Sequence, residues 1–560
     1  MRVVIIGGVA TGPKVAARLK RIMPQADVVI VEQGKVLSYG ACGLPLYLGN
    51  LVPRIEDLMT TSAGILRDTS YFADRKGVTV LSETRAIAID RAQKTVHIRD
   101  LSNGAERDLV YDFLVLATGA KPSLPTIPGI ESQNVFTLRH PSDAEKLKAL
   151  IQAKQVKHVT VIGAGFIGLE IADALASPRL KVTVCESQSH VLPRLLDLEM
   201  ARGVESKMRS RSIDLRLGCQ VKAIECDAEG KVNRVVTAQG QIETELVIIA
   251  IGVKPEVELA CQAGLAIGST GAIQVNDFMQ TDDPFIYAGG DCAEQINLIT
   301  GQAVYIPLAS TANKQGRVIA DNITGRKVEF PSICGTSVLQ AFDLNIGRTG
   351  LSENEARKFG YDVITSLSSG LDSMHYYPMH AAVTIKLIAD ARSGRLLGAQ
   401  VCGMGEGIKR LDVLATAIRF GARVEDIGGL DLGYAPSFAT AIDVLIHAAN
   451  TLENKSHDVV NSITPLDLLK RLQQGEEIQF VDVREKDEVK ANPLNFPKVI
   501  AIPLGELRKR YREIPYEGAV VTVCELGIRA YDAACILKSH GFKGVCFLEA
   551  GTSVWKTLSS

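Results

Sequence analysis

The stretch Gly163-Ala164-Gly165-Phe166-Ile167-Gly168 stands between an apolar run starting at Val159 and a helical pattern from Leu169. A second run, Lys181 to Cys185, follows and meets Glu186, 18 residues beyond the last glycine. Strand, glycine turn, helix, strand and acid in that order describe a βαβ unit whose helix N-terminus faces a pyrophosphate. The acid sits where a ribose hydroxyl is read. A carboxylate there suits a free 2′-hydroxyl and repels a 2′-phosphate, so Gly163, Gly165, Gly168 and Glu186 predict a site for NADH in preference to NADPH.

The chain opens on the same arrangement. Residues 3–32 read as strand, turn, helix, strand and acid, with Gly7 and Gly12 at the outer positions of the fingerprint, Val9 at the middle one and Glu32 at the ribose position. Two such units in one chain point to FAD and a nicotinamide exchanging hydride. Two further stretches fit a flavin domain. Tyr111–Pro122 is a buried strand running into the small-residue turn Ala117-Thr118-Gly119, and Phe285–Asp291 is a strand ending on an acid for the ribityl hydroxyls. A helix following Pro307, with Ala309 in its first turn, can aim its positive end at the flavin ring.

Between these elements lies Ser38-Tyr39-Gly40-Ala41-Cys42-Gly43-Leu44-Pro45, a cysteine in a small-residue loop opening into a helix. A thiol at a helix N-terminus is expected to have a lowered pKa and greater nucleophilicity. The next cysteine is Cys185, so a Cys-x4-Cys dithiol is absent and a disulfide formed by Cys42 must involve something outside this segment. A buried structural cysteine is the alternative; the flanking dinucleotide elements favour a redox role. Lys14, Arg18 and Arg21 recur at i, i+4 and i+7 on the preceding helix, either as a solvated face or, with Ser38, as a seat for a phosphate-bearing substrate near Cys42.

At 560 residues the chain exceeds one core, and about three to four domains are expected. A net charge of −1 gives no reason to expect nucleic acid, and no apolar run approaches the ~20 residues of a membrane span. The first strand begins at Arg2, leaving no room for a signal peptide, and the eleven cysteines lack metal or disulfide spacing. A reducing cytoplasm is the expected compartment.

The C-terminal hundred residues form a separate α/β pattern, with Phe480–Arg484 and Ala519–Val523 as strands. The second leads into Cys524-Glu525-Leu526-Gly527-Ile528-Arg529 and a helix, a loop whose backbone N–H groups and Arg529 can cradle an anion on sulfur. This stretch resembles a rhodanese domain, in which Cys-x4-Arg is the sulfur-carrying loop; related dual-specificity phosphatases have one residue more. Glu525 sets a negative charge beside the cradle and disfavours anionic donors such as thiosulfate. Thr451–Asp458 is polar and reads as a linker.

Residues 1 to about 447 resemble the pyridine nucleotide-disulfide oxidoreductase family, and within it the single-cysteine branch of coenzyme A-disulfide reductases and NADH-dependent persulfide reductases. The Cys42 loop, the Ala117–Ala120 turn, the Gly163–Gly168 fingerprint, the Asp291 strand and the Pro307–Arg317 segment carry the resemblance. It implies two Rossmann-like domains for FAD (1–120 and 246–326) and NAD (121–245), an α+β dimerisation domain (327–447), a linker (448–458) and the rhodanese-like domain (459–560). It further implies a homodimer in which Tyr434, and Tyr376 or Tyr377, reach substrate at the partner subunit's Cys42 and protonate a departing thiolate. The implied activity is reduction of sulfur–sulfur bonds in coenzyme A disulfide, its persulfide or polysulfide, with Cys524 carrying sulfane sulfur. An NADH oxidase or peroxidase cycling a Cys42 sulfenic acid, and a redox or sulfur sensor, are the alternatives.

Overall fold

Continuous Val- and Ile-rich runs bury both faces, which is the pattern of parallel strands covered by helices. In a computed structural model, which describes residues 1–154, 156–515 and 517–559, these runs build the central sheets. The chain divides into two compact units, Met1–Ser187 with Cys219–Ile333, and Gln188–Gly218 with Cys334–Ser560.

In the first unit, Arg2–Ile6 is flanked by Asp27–Val31 and Phe113–Leu116, with Thr79–Leu81 and Ile286–Ala288 at the edges, all parallel. The Thr11–Ile22 helix buries Val15 and Leu19 against this sheet's core. A second parallel sheet places His158–Ile162 between Lys181–Cys185 and Leu246–Ile249. Its helix, Phe166–Leu175, starts three residues before the expected Leu169 and closes on the sheet through Gly168. Both sheets therefore bring a glycine turn and an acid to the carboxyl ends of their strands, where ligands of such sheets bind.

The second unit has an antiparallel sheet with strands in the order Ser337–Ala341, Leu344–Gly350, Leu396–Gly403, Ala382–Asp390 and Val363–Leu371. Lys386 is buried in it and held by Asp197, Glu199 and Glu353 at 3.0, 2.5 and 2.7 Å. Three carboxylates around one ammonium compensate a burial that a lone charge could not survive. The C-terminal sheet is all parallel, in the order Asn461–Ile463, Val545–Leu548, Ala519–Val523, Ile478–Asp482 and Val499–Ala501.

The expected linker is a correction. Residues 444–456 form a helix whose Val444, Leu445, Ala448, Ala449 and Leu452 are buried. The polar composition of Thr451–Asp458 reflects the outer face and end of that helix, and its apolar residues mostly precede the polar stretch. Among the described residues, no helix is long and apolar enough to cross a membrane.

Candidate active site

The two glycine turns are shaped by close backbone approaches. Gly7 has φ +113°, and a Cβ on Gly12 would fall 1.9 Å from the Gly7 carbonyl oxygen. Gly163 repeats this at φ +105°, with a Cβ on Gly168 falling 2.0 Å from the Gly163 oxygen. The space around Gly165 is open, as a fingerprint's middle glycine requires for a pyrophosphate. Glu32 accepts the N–H of Gly8 and of Gly34, each at 2.7 Å. Glu186 accepts the N–H of Ala164 at 2.8 Å, so the same carboxylate–turn bond occurs in both units.

Around the first turn, the Ala117 N–H bonds the Ile6 carbonyl and the Thr118 hydroxyl donates to Glu256 O at 2.6 Å. Gly119 takes φ +74° beside the Arg139 guanidinium. Asp291 follows Gly290 and lies 4.0 Å from Arg139; burial raises its pKa against that cation. No side chain caps the Ala309–Ile323 helix, where Ala309 is exposed and Pro307 half-buried. Gln315 on that helix accepts the Gly290 N–H at 2.7 Å through Oε1, while its buried Nε2 has no partner. The glycine cradle, the two acids and this waiting donor fit a bound dinucleotide cofactor.

Cys42 is exposed and free, in a 3₁₀ turn over Ala41–Gly43 followed by a five-residue helix, Leu44–Leu48. Its thiol departs from the expected lowering. Burial of the sulfur's surroundings pushes its pKa up, as do Glu170 and Asp291, against the opposing pull of Arg139 and a backbone N–H. So short a helix supplies little dipole to offset two carboxylates. Glu170 is itself raised to about 7 by burial. Ser38 joins this loop to the first fingerprint through its N–H on Gly8 O at 2.8 Å, with φ +47°. The basic stripe divides: Arg18 is paired with Asp321 at 2.8 Å, the stem of Lys14 lies over Gly316, and Arg21 is exposed.

In the second unit, Tyr376 and Tyr434 are 60% and 51% exposed. The Met374 N–H to Pro436 O bond, at 3.1 Å, ties their two loops together. Desolvation and the adjacent Tyr434 hydroxyl raise the Tyr376 pKa, whereas the Tyr377 N–H turns back to Met374 O at 2.8 Å. The structure thus pairs Tyr434 with Tyr376. The His375 ring lies edge-on to Tyr376, with centroids 5.2 Å apart.

Cys524 is 1% exposed, and its sulfur accepts the N–H groups of Gly527 and Ala530 at 3.1 and 3.3 Å. The expected backbone cradle is present, and the Arg529 side chain lies close enough to feel the charge of Cys524. Its guanidinium is bidentate to Glu488 at 2.6 and 2.7 Å, which holds that carboxyl down at about 2. Glu525 receives the Thr552 hydroxyl at 3.1 Å and lies within 3.8 Å of Arg484 and 3.7 Å of Lys556. Arg139, Glu170, Gln315, His375 and Glu488 are members of these clusters that sequence patterns did not single out.

The pyridine nucleotide-disulphide oxidoreductase model matches residues 1–316, the dimerisation domain of that family residues 337–446, and the rhodanese-like domain residues 464–558. The chain is 38% identical over 452 residues to the NAD(P)H coenzyme A polysulfide/persulfide reductase of Pyrococcus horikoshii, covering 81% of this chain and 98% of that protein. It is similar in structure to an NAD-dependent persulfide reductase from A. fulgidus, with a TM-score of 0.94, 42% identity and coverage of 99% and 100% of the two chains. A structure of reduced Bacillus anthracis CoADR-RHD gives 0.91 at 35% identity, covering 100% of this chain and 98% of the other.

Proposed function

Because the chain belongs to the pyridine nucleotide-disulphide oxidoreductase family, we propose that it reduces the sulfur–sulfur bonds of coenzyme A disulfide, coenzyme A persulfide or polysulfide at the expense of NADH, with Cys42 as the redox thiol. One observation carries this reading: Cys42 is an exposed free thiol set in the same electrostatic cluster as Asp291, at the end of the flavin-type strand. The substrate class comes from the persulfide and polysulfide reductases that the chain resembles along its length.

FAD, when bound, supplies the passage of two electrons from the nicotinamide to sulfur. Gly7, Gly12, Glu32, the Ala117–Gly119 turn, Asp291, Pro307, Ala309 and Gln315 would hold it, and Gly163, Gly165, Gly168 and Glu186 would hold the nicotinamide dinucleotide. The chain's own sulfur chemistry is exchange. The Cys42 thiolate attacks the coenzyme A sulfur of the disulfide or persulfide, forming a mixed disulfide and expelling coenzyme A thiolate or hydrosulfide. Two electrons and a proton then return the mixed disulfide to Cys42 thiolate and coenzyme A thiol. The phenols of Tyr376 and Tyr434 donate hydrogen bonds to the thiolate that departs at Cys42 of the partner subunit. Cys524 receives sulfane sulfur as a persulfide stabilised by the Gly527 and Ala530 N–H groups. Lys14, Arg21 and Ser38 remain candidates for the coenzyme A phosphates. A homodimer and a reducing, cytoplasmic setting accord with this reading.

Mass spectrometry of the protein denatured without reductant after incubation with coenzyme A disulfide tests it. A coenzyme A adduct on Cys42, removed by NADH in the holoenzyme, is expected. An adduct confined to other cysteines contradicts the assignment.

A further inference from the structure

Glu549 follows the Val545–Leu548 strand of the C-terminal sheet and is fully buried, at 0% exposure. Its Oε2 accepts the N–H of Leu367 at 2.8 Å. Leu367 belongs to Val363–Leu371, an edge strand of the antiparallel sheet, whose outward N–H groups need partners. Its Oε1 accepts Lys455 Nζ at 2.7 Å and Ser462 Oγ at 2.5 Å, and Lys455 also donates to Thr365 O at 3.0 Å. A buried carboxylate is costly unless every lone pair is answered, so these bonds define one seat for the C-terminal domain. Asn454, on the preceding helix, adds a bond to the Tyr531 hydroxyl at 3.1 Å.

The other end of the same segment supports the sulfur loop. Ala550 and Gly551, both left-handed at φ +54° and +64°, turn the chain under Cys524. The Thr552 N–H then donates to Cys524 O at 2.8 Å and the Ser553 N–H to Glu525 O at 3.1 Å. A Cβ on Gly551 would fall 2.5 Å from both of those carbonyl oxygens.

We infer that Glu549 is a positioning residue that fixes the Cys524 loop on the dimerisation sheet, so that sulfane sulfur is loaded and released at one fixed place instead of from a swinging domain. The sulfur-carrying part of this statement rests on the proposed function; the docking part does not.

The test uses the full-length holoenzyme and its Glu549→Ala and Glu549→Gln variants, with three readouts. Hydrogen exchange is followed at the Leu367 amide. Loading of Cys524 is followed by adding polysulfide, then cyanide. Cys524 thiolate attacks a sulfur of the chain and expels the shortened polysulfide; cyanide then takes the outer sulfur as thiocyanate and restores the thiolate. The third readout is NADH-dependent reduction of polysulfide. In Glu549→Ala, Leu367 exchange should rise and NADH-dependent polysulfide reduction should fall by about tenfold, with thiocyanate formation within about threefold of wild type. Glu549→Gln keeps an acceptor, should fall between the two, and carries the test should the alanine variant not fold. Unchanged Leu367 exchange overturns the docking role. Loss of thiocyanate formation as severe as that of polysulfide reduction places Glu549 in the loop's own architecture and overturns positioning, as does wild-type polysulfide reduction with the latch open. Failure of the wild-type enzyme to reduce polysulfide would sink the functional reading and leave the exchange result standing.

Discussion

The guanidinium of Arg529 grips the carboxylate of Glu488 in two hydrogen bonds of 2.6 and 2.7 Å, and so is committed beside the Cys524 cradle. The folded Glu488 value, about 2, lies below its ordinary 4.5. The pair therefore contributes stability that is present above pH 4.5 and is lost as pH falls through about 2. Both groups are partly exposed, which limits the contribution to about 1 kcal/mol or less. Melting temperatures of wild type and Glu488→Gln should differ by a constant amount above pH 5 and converge toward pH 2. A difference that persists at pH 2 would contradict the pairing.

With Glu488 engaged by Arg529, Glu525 is the carboxylate beside the Cys524 loop that opposes a dianionic donor. Glu525→Ser should therefore raise thiosulfate:cyanide sulfurtransfer by on the order of tenfold, about 1.4 kcal/mol. Loading from coenzyme A persulfide should change by less. Equal thiosulfate rates in the two proteins would remove Glu525 as the source of donor selectivity.

The pH dependence of Cys42 follows from its carboxylate neighbours. Glu170, raised to about 7 by burial, acquires its charge as pH rises through neutrality and then holds the Cys42 thiol up. In Glu170→Gln, the midpoint for iodoacetamide alkylation of Cys42 should move to lower pH. The sign for stability is opposite to that of Glu488: a carboxyl whose folded pKa is raised gives stability that is present below 4.5 and lost as pH rises through about 7. The variant should accordingly lose less stability between pH 5 and 8 than wild type. An unmoved alkylation midpoint would show that Glu170 does not govern the thiol.

The glycine turns were legible because their demands are local. Gly7, Gly12, Gly163 and Gly168 leave no room for a Cβ, and Glu32 and Glu186 each sit at a strand end where a turn N–H waits. Cys42 stood out as a lone thiol in a small-residue loop, but its charge environment did not. Arg139 enters through a loop far along the chain, and Glu170 lies one turn into a helix whose pattern gives it no distinction. The loop spacing points to Arg529, but its partner Glu488 comes from another helix, 41 residues earlier. Thr451–Asp458 reads as a linker because the polar end of the Val444–Ser456 helix has a linker's composition.

Nucleotide preference tests the second fingerprint. The buried Glu186 carboxylate, fixed by Ala164 N–H, should give NADH a kcat/KM at least tenfold above that of NADPH, about 1.4 kcal/mol. Glu186→Arg should narrow or reverse the ratio. A wild-type preference for NADPH would overturn the role of this acid.

The tyrosines differ in their surroundings. Tyr376→Phe and Tyr434→Phe should each lower kcat for coenzyme A disulfide by about tenfold or more, whereas Tyr377→Phe should stay within about threefold of wild type. Comparable loss in Tyr377→Phe would contradict the pairing of Tyr376 with Tyr434 as the functional one.

The division of labour between the two thiols is measured most directly by NADH-dependent reduction of coenzyme A disulfide in Cys42→Ser and Cys524→Ser holoenzymes. A serine hydroxyl is a poor nucleophile toward sulfur at neutral pH, so Cys42→Ser should lose turnover by about 10³-fold or more. Cys524→Ser should remain within about threefold of wild type on this substrate, because coenzyme A disulfide reaches Cys42 without a sulfur carrier, and should be impaired with polysulfide. If a folded Cys524→Ser enzyme loses coenzyme A disulfide reduction as severely as Cys42→Ser, or if Cys42→Ser retains it, the account is wrong.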